Sequence, residues 1–127
     1  MSAIAKKPSL AEPVLRVARA SDLATVVALV QACGLPPAGI SDAFPDSYAV
    51  VCVGSEIVAA AGLEVHGDFG LLRSVAVQPL HRRSGLGRTL VTDRLQFGKL
   101  LPLQAVYLLT TNAPDYFRRL GSARHSL

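Results

Sequence analysis

Residues 82 to 88 read Arg-Arg-Ser-Gly-Leu-Gly-Arg, and their types suggest a definite chemistry. Gly85 and Gly87 let a ligand come close to the backbone. A helix opening at Gly85 would leave its first N–H groups unpaired, with the positive end of its dipole toward an anion. Arg82, Arg83 and Arg88 surround Ser84 and Leu86 with positive charge. The segment reads as a cradle for phosphate. It is not a Walker A loop, because no Lys follows either glycine, and it is not a dinucleotide fingerprint, because Leu90 stands where a third Gly is needed. The competing reading is a solvated basic turn that caps an ordinary helix.

A second group of residues suits proton transfer. Glu64 is the first candidate for a general base, acting directly or through water, with Asp68 second; the alternative for Glu64 is a solvent-facing strand residue. His66 lies on the same strand face by the period of two, so it is a candidate relay as well as an ordinary surface His. Arg73 falls in an apolar strand, on the face expected to carry Val75 and Val77. An unpaired charge there is costly, so it should meet either Glu64 across a hairpin or an oxyanion of a substrate.

These groups need elements to hold them. Val14 to Ala18 alternates like a strand; Ser21 caps a helix with Asp22 in its first turn, and Leu23, Val26, Val27 and Val30 form its apolar stripe until Gly34. Leu35 to Asp46, with Pro36, Pro37, Gly39 and Pro45, is a loop or at most a broken helical turn. Tyr48 to Val53 and Ile57 to Val65 form a hairpin around Gly54-Ser55-Glu56, and after His66-Gly67-Asp68 a strand from Phe69 to Gln78 feeds the cradle. Gly85 to Lys99 is a helix with Leu86, Leu90 and Phe97 along one line and Arg88, Thr92, Gln96 and Lys99 toward solvent. Ala105 to Thr111 is a strand reached by a crossover, hence parallel to the one before it. Asn112 or Asp115 would cap a short helix running to Leu120, ended by Gly121. The pattern is α/β, an α+β mixed sheet: four antiparallel strands, a crossover helix, and a parallel strand.

The 127 residues make one domain, 14–127, behind a 1–13 tail without periodicity. Half the residues are apolar, and no run approaches the length of a membrane span. Net charge is +4, yet from Arg73 to Arg124 nine Lys or Arg face only Asp93 and Asp115, which points to a polyanionic ligand. No aromatic residues interleave with the arginines to stack bases, so a phosphorylated small molecule fits better than nucleic acid. Cys33 and Cys52 read as a reduced pair in a cytoplasmic protein, since no apolar signal segment opens the chain. The three His are scattered without the spacing of a metal site, and no metal is expected.

Arg82-x-x-Gly85-x-Gly87, preceded by Val75-Ala76-Val77-Gln78-Pro79, resembles the pyrophosphate-binding element of the GCN5-related N-acetyltransferases (GNAT). Asn112-Ala113-x-x-Tyr116-Phe117-x-x-Leu120-Gly121 is similar to that family's later segment, in which Asn and Ala face the pantetheine arm. The resemblance implies a GNAT-like fold and acetyl-CoA as co-substrate. It implies cofactor contacts at Val75, Val77, Arg82 to Arg88, Asn112 and Tyr116, and makes the Val77 N–H a donor to the thioester carbonyl or pantetheine. It further implies a small, amino-acid-like acceptor amine, anionic if Arg73 holds it, near the irregular segment from Leu35 to Asp46. The wording Leu71 to Val77 with Tyr107 to Thr111 resembles the arsenic-resistance (ArsN-like) branch, some of whose members acetylate amino-acid analogues bearing an arsenic or phosphorus acid. A binding protein with little or no turnover is the alternative function. Phe117 stands where many relatives carry a Tyr that protonates the departing thiolate; Tyr116, one residue earlier, is the remaining candidate, though a helix would turn it about 100° away. The family's last strands are missing from the sequence, so the strand at Ala105 is expected to leave an edge open, which a second copy would complete as a homodimer.

Overall fold

The computed structural model describes residues 12–109 and 117–121. Strands β1 (Val14–Val17), β2 (Tyr48–Val53), β3 (Glu56–His66), β4 (Phe69–Val77), β5 (Ala105–Leu109) and β6 (Phe117–Gly121) form one sheet in chain order. Strands β1 to β4 pair antiparallel and β5 joins β4 in parallel, the mixed arrangement expected from the crossover. The hairpins are tight because Gly54 and Gly67 take positive φ, 64° and 63°.

Helix α1 (Leu23–Ala32) covers one face of the sheet and α3 (Leu86–Lys99) the other, while α2 (Ile40–Ala43) is a single turn in the proline-bearing loop. Period-two alternation sends Tyr48, Val50, Ala60 and Ala76 toward α1 with Val26 and Val30, and sends Ala49, Val51, Ala59 and Ala61 toward α3 with Leu86 and Leu90. Since both faces are covered, β3 is buried from Ile57 to Glu64.

Two irregularities in β4 matter most. Gly62 faces Arg73 and Ala60 faces Ala76, so Ala61 lies opposite both Ser74 and Val75: a bulge, with Ser74 at φ 58°. The extra residue shifts the alternation by one. Arg73, Ser74 and Ala76 therefore lie on the α1 side, with Val75 and Val77 on the α3 side, which corrects the expectation that Arg73 shares a face with Val75 and Val77. Second, β4 pairs with β5 only from Phe69 to Leu72. From Arg73 to Val77 that side of β4 has no strand partner among the described residues.

Other details also differ. Ser21 makes no cap bond; Asp22 instead takes the Arg19 N–H at 2.7 Å and the Arg16 guanidinium, Nη1 also at 2.7 Å. Phe117–Gly121 is a strand antiparallel to β5, not the end of a helix. Pairing satisfies the second side of β5, so the open edge from which a homodimer was expected is filled by the chain itself. The expected tail through residue 11, Asn112 and Tyr116 lie outside the described residues.

Candidate active site

The loop expected to cradle phosphate begins where β4 ends. A 3-10 turn, Pro79–His81, is followed by Arg82 in extended conformation, Arg83 at φ 69° and Gly85 at φ 84°, the N-cap of α3. A left-handed N-cap favours Gly. The first intrahelical bond is Thr89 N–H to Gly85 O, 3.0 Å, so the N–H groups of Leu86, Gly87 and Arg88 precede the ladder and are available to an anion. A Cβ at Gly85 would meet nothing within 4 Å, and one at Gly87 would lie 3.7 Å from Val77 Cγ2. Open space beside unpaired donors suits a pyrophosphate. Arg83, Ser84 and Arg88 are exposed around it.

Arg82 also braces the loop from within. Its Nε donates to Val77 O at 3.0 Å and its Nη2 lies 3.5 Å from Cys33 Sγ, so it ties the cradle back to the end of β4 and to α1. Gln78 N–H donates to Val58 O, 2.8 Å, and alternation turns the Val77 N–H and C=O the opposite way, into the space that β5 leaves. Val77 thus stands between the helix mouth and the unpaired run of β4.

On the α1 side the bulge gathers a buried polar chain. Arg73 Nη1 donates to Glu64 Oε2 at 3.3 Å, its Nε to Ser74 Oγ at 3.0 Å, and its Nη2 to Pro36 O at 3.0 Å. Glu64 Oε1 lies 3.2 Å from His66 Nε2, and the Tyr48 hydroxyl donates to Ser74 Oγ at 3.4 Å. Glu64 and Arg73 are 8% and 7% exposed, so Glu64 is not the solvent-facing residue its strand position allowed, and Arg73 meets the carboxylate across the hairpin. Burial pushes the Tyr48 phenol up from its ordinary value, partly offset by the Ser74 bond, so Tyr48 serves as a neutral donor. His66 is half exposed and stacks on Phe69, ring centroids 5.6 Å apart.

Beside this chain lies a cavity of about 500 Å³, lined by Gly39, Asp42, Phe44, Asp46, Ser47, Glu64, Val65 and His66. Its walls come from the irregular segment before β2 and from the end of β3. Arg73 links the two, since Pro36 O accepts from it and a Cβ on Gly39 would come within 3.1 Å of its Nη1.

The model of the Acetyltransferase (GNAT) family matches residues 15–121. The chain belongs to that family. Among curated proteins, none matches the sequence. Among solved structures, this GNAT chain is similar to Rv2747 from Mycobacterium tuberculosis in complex with CoA and NLQ, at 28% identity and TM-score 0.68, covering 78% of this chain and 65% of that one. It shares its fold with N-acetylglutamate synthase from Neisseria gonorrhoeae complexed with coenzyme A and L-arginine (18% identity, TM-score 0.68, 82% of this chain and 26% of that one). It also shares the fold of diaminobutyrate acetyltransferase EctA from Paenibacillus lautus in complex with L-2,4-diaminobutyric acid and coenzyme A (21% identity, TM-score 0.66, 79% and 66%). The chain thus spans less than two thirds of the length of each of these three.

Sequence reasoning put Glu64 and His66 on one strand face and left Arg73 between Glu64 and a substrate oxyanion, and it missed Tyr48, Ser74 and Arg94. Gly62 within a strand was the available signal for Tyr48, because a strand glycine marks close approach, and its Cβ would fall 2.4 Å from Tyr48 Cζ. Arg94 interrupts the apolar line of α3 four residues after Leu90. Ser74 carries no such mark.

Proposed function

We propose that this chain transfers an acetyl group from acetyl-CoA to the amine of a small, amino-acid-like molecule. The observation that carries the reading is the separation of β4 from β5 after Leu72, with the Val77 backbone directed into the gap and the open N-terminus of α3 at its end. In this reading the N–H groups of Leu86, Gly87 and Arg88, with Arg83 and Arg88, hold the pyrophosphate. Acetyl-CoA supplies an activated acyl group. The Val77 N–H orients its carbonyl or pantetheine arm, a contact worth about 2.7 to 4 kcal/mol if it strengthens as the carbonyl oxygen gains charge.

The amine nitrogen forms the new C–N bond, the C–S bond breaks, and the amine proton passes to Glu64 and outward through His66. Tyr116 is proposed as the donor to the departing sulfur. Asn112 is proposed to contact the pantetheine arm. Arg73 pairs with Glu64 and fastens the cavity wall, so an acceptor carboxylate, or the arsenic or phosphorus acid of the arsenic-resistance reading, would reach Arg73 only by competing with Glu64. A cytoplasmic location fits the free thiols of Cys33 and Cys52, and among the described residues no helix is long and apolar enough to cross a membrane. A homodimer would draw on β1, an edge strand whose Val14 and Val17 are exposed.

A second reading, acyl-CoA binding with little turnover, is favoured by the engagement of both Glu64 oxygens. A thiol-release assay with acetyl-CoA over a panel of amino acids, arsenic and phosphorus analogues and simple amines tests both. Amine-dependent release supports transfer; calorimetric binding of acetyl-CoA without release from any amine selects the second reading; no binding removes both.

A further inference from the structure

Arg94 is 3% exposed, the most deeply buried charge within residues 12–108, on a helix whose neighbouring turns present Leu86, Leu90 and Gly98 to the core. Among the described residues its one ion-pair partner is the adjacent Asp93, with Nη2 to Oδ2 at 2.9 Å and Nε to the same oxygen at 3.0 Å. The guanidinium also lies over the Phe97 ring, 4.6 Å from its centroid. An apolar residue of similar volume would fill this place without desolvating a charge. What an apolar residue lacks is the remaining contact: Nη1 donates to Ser47 O at 3.2 Å.

That carbonyl sits at a junction. Ser47 lines the cavity, directly precedes buried Tyr48, and its oxygen also accepts the Leu63 N–H at 2.9 Å, beside Glu64. The segment before it, with Phe44 and Asp46, forms one cavity wall and is irregular apart from the single turn of α2. No ladder holds a wall of this kind in place, so its position rests on individual bonds. Tyr48 N–H to Pro45 O, 3.0 Å, closes the turn from within, while Arg94 reaches it from α3, whose N-terminus forms the cradle.

We propose that Arg94 is a positioning residue that fixes the acceptor cavity relative to the donor-binding helix. The inference rests on the acetyl-transfer reading for the identity of the cavity. Arg94 touches neither reacting group; it acts through the Ser47 carbonyl.

The test uses the whole chain with Arg94→Met, which keeps bulk and removes the donors, and Arg94→Lys, which restores one. Three quantities are measured: the KM for whichever amine of the panel above wild type turns over fastest, taken as the acceptor, the acetyl-CoA Kd by calorimetry, and amide exchange at Tyr48 and Leu63. In Arg94→Met the acceptor KM should rise about tenfold, the worth of one hydrogen bond from a charged donor, with exchange at Tyr48 and Leu63 faster and the acetyl-CoA Kd within about twofold of wild type. Arg94→Lys should recover part of both effects. Unchanged KM and exchange in a folded Arg94→Met protein would overturn the proposal, as would a parallel loss of acetyl-CoA affinity, which would mean that the helix as a whole had shifted. If the wild-type chain turns over no amine, the acetyl-transfer reading fails with the acceptor role; exchange then reports separately whether Arg94 holds Ser47.

Discussion

Replacing Gly87 separates the needs of the ligand from those of the fold. Gly87 is the second residue of α3, and a Cβ there meets Val77 Cγ2 at 3.7 Å, an ordinary contact that requires no movement. Alanine is favoured over glycine by about 0.8–1 kcal/mol in a helix interior and by less in the first turn. Free Gly87→Ala should therefore melt at or up to about 4 °C above wild type. The added carbon, however, occupies the space at the mouth of α3 through which phosphate oxygens would reach the N–H groups. Losing one charge-assisted bond costs about 1.5–3 kcal/mol, so acetyl-CoA affinity should fall at least about tenfold in Gly87→Ala, and further in Gly87→Val, which adds a branch. Thermal melts read both effects. At a ligand concentration of 100 times the wild-type Kd, linkage stabilises wild type by about 2.7 kcal/mol, whereas a tenfold weaker variant gains about 1.4 and a hundredfold weaker one about 0.4. Calorimetric titration gives the affinities directly. A Gly87→Val protein with wild-type affinity would show that the cradle is misassigned, and a free Gly87→Ala protein melting several degrees low would refute the account of the space.

Arg73→Ala should lower stability by about 3–5 kcal/mol in urea unfolding, because it strips the buried Glu64 carboxylate of its guanidinium and leaves it only the half-exposed His66; adding Glu64→Gln should recover much of the loss, and a fully stable single variant would return Arg73 to the role of a substrate clamp. Gly62→Ala should destabilise by about 1–3 kcal/mol, since the new carbon lies 2.4 to 2.7 Å from three Tyr48 ring atoms. Strand propensity alone predicts the opposite sign, so a more stable variant would refute the packing account. The Arg16 bond, aided by the Arg19 N–H, holds the Asp22 carboxyl below the usual carboxylate range. A depressed folded pKa means that this stabilisation is present above the unfolded value of about 3.9 and is lost as pH falls through the folded one. The stability gap between wild type and Asp22→Asn should accordingly be constant from pH 7 to 5 and close toward pH 3, and a gap independent of pH would sink the assignment.

The elements themselves were legible in the sequence because their signals are local. Continuous apolar runs of strand length at 48–53 and 57–63, glycines at the turns, and an apolar line opening at Gly85 each follow from a few neighbouring positions. The loop into α3 was legible for the same reason, since Arg82 to Arg88 are contiguous and a strand-to-helix junction exposes N–H groups wherever it occurs. The chain's end was harder: a Phe-to-Gly run suited to closing a helix forms strand β6, because the unsatisfied edge of β5 offers a ladder that local propensity does not register. The sequence also left Glu64 and Arg73 with two readings each. Tertiary structure decided between them through a single extra residue. The bulge at Ser74 reverses the side-chain alternation of β4, brings Arg73 under Glu64 on the α1 face, and leaves Val75 and Val77 facing α3. Nothing in a serine marks a positive φ; the strain is held by Arg73 Nε and the Tyr48 hydroxyl, which both donate to its oxygen. Arg94 likewise acquires meaning only from Ser47, 47 positions away in the chain. Short-range pattern determined which elements form and where a strand-to-helix junction leaves N–H groups unpaired, whereas the facing of charges depends on register, a property of the assembled sheet.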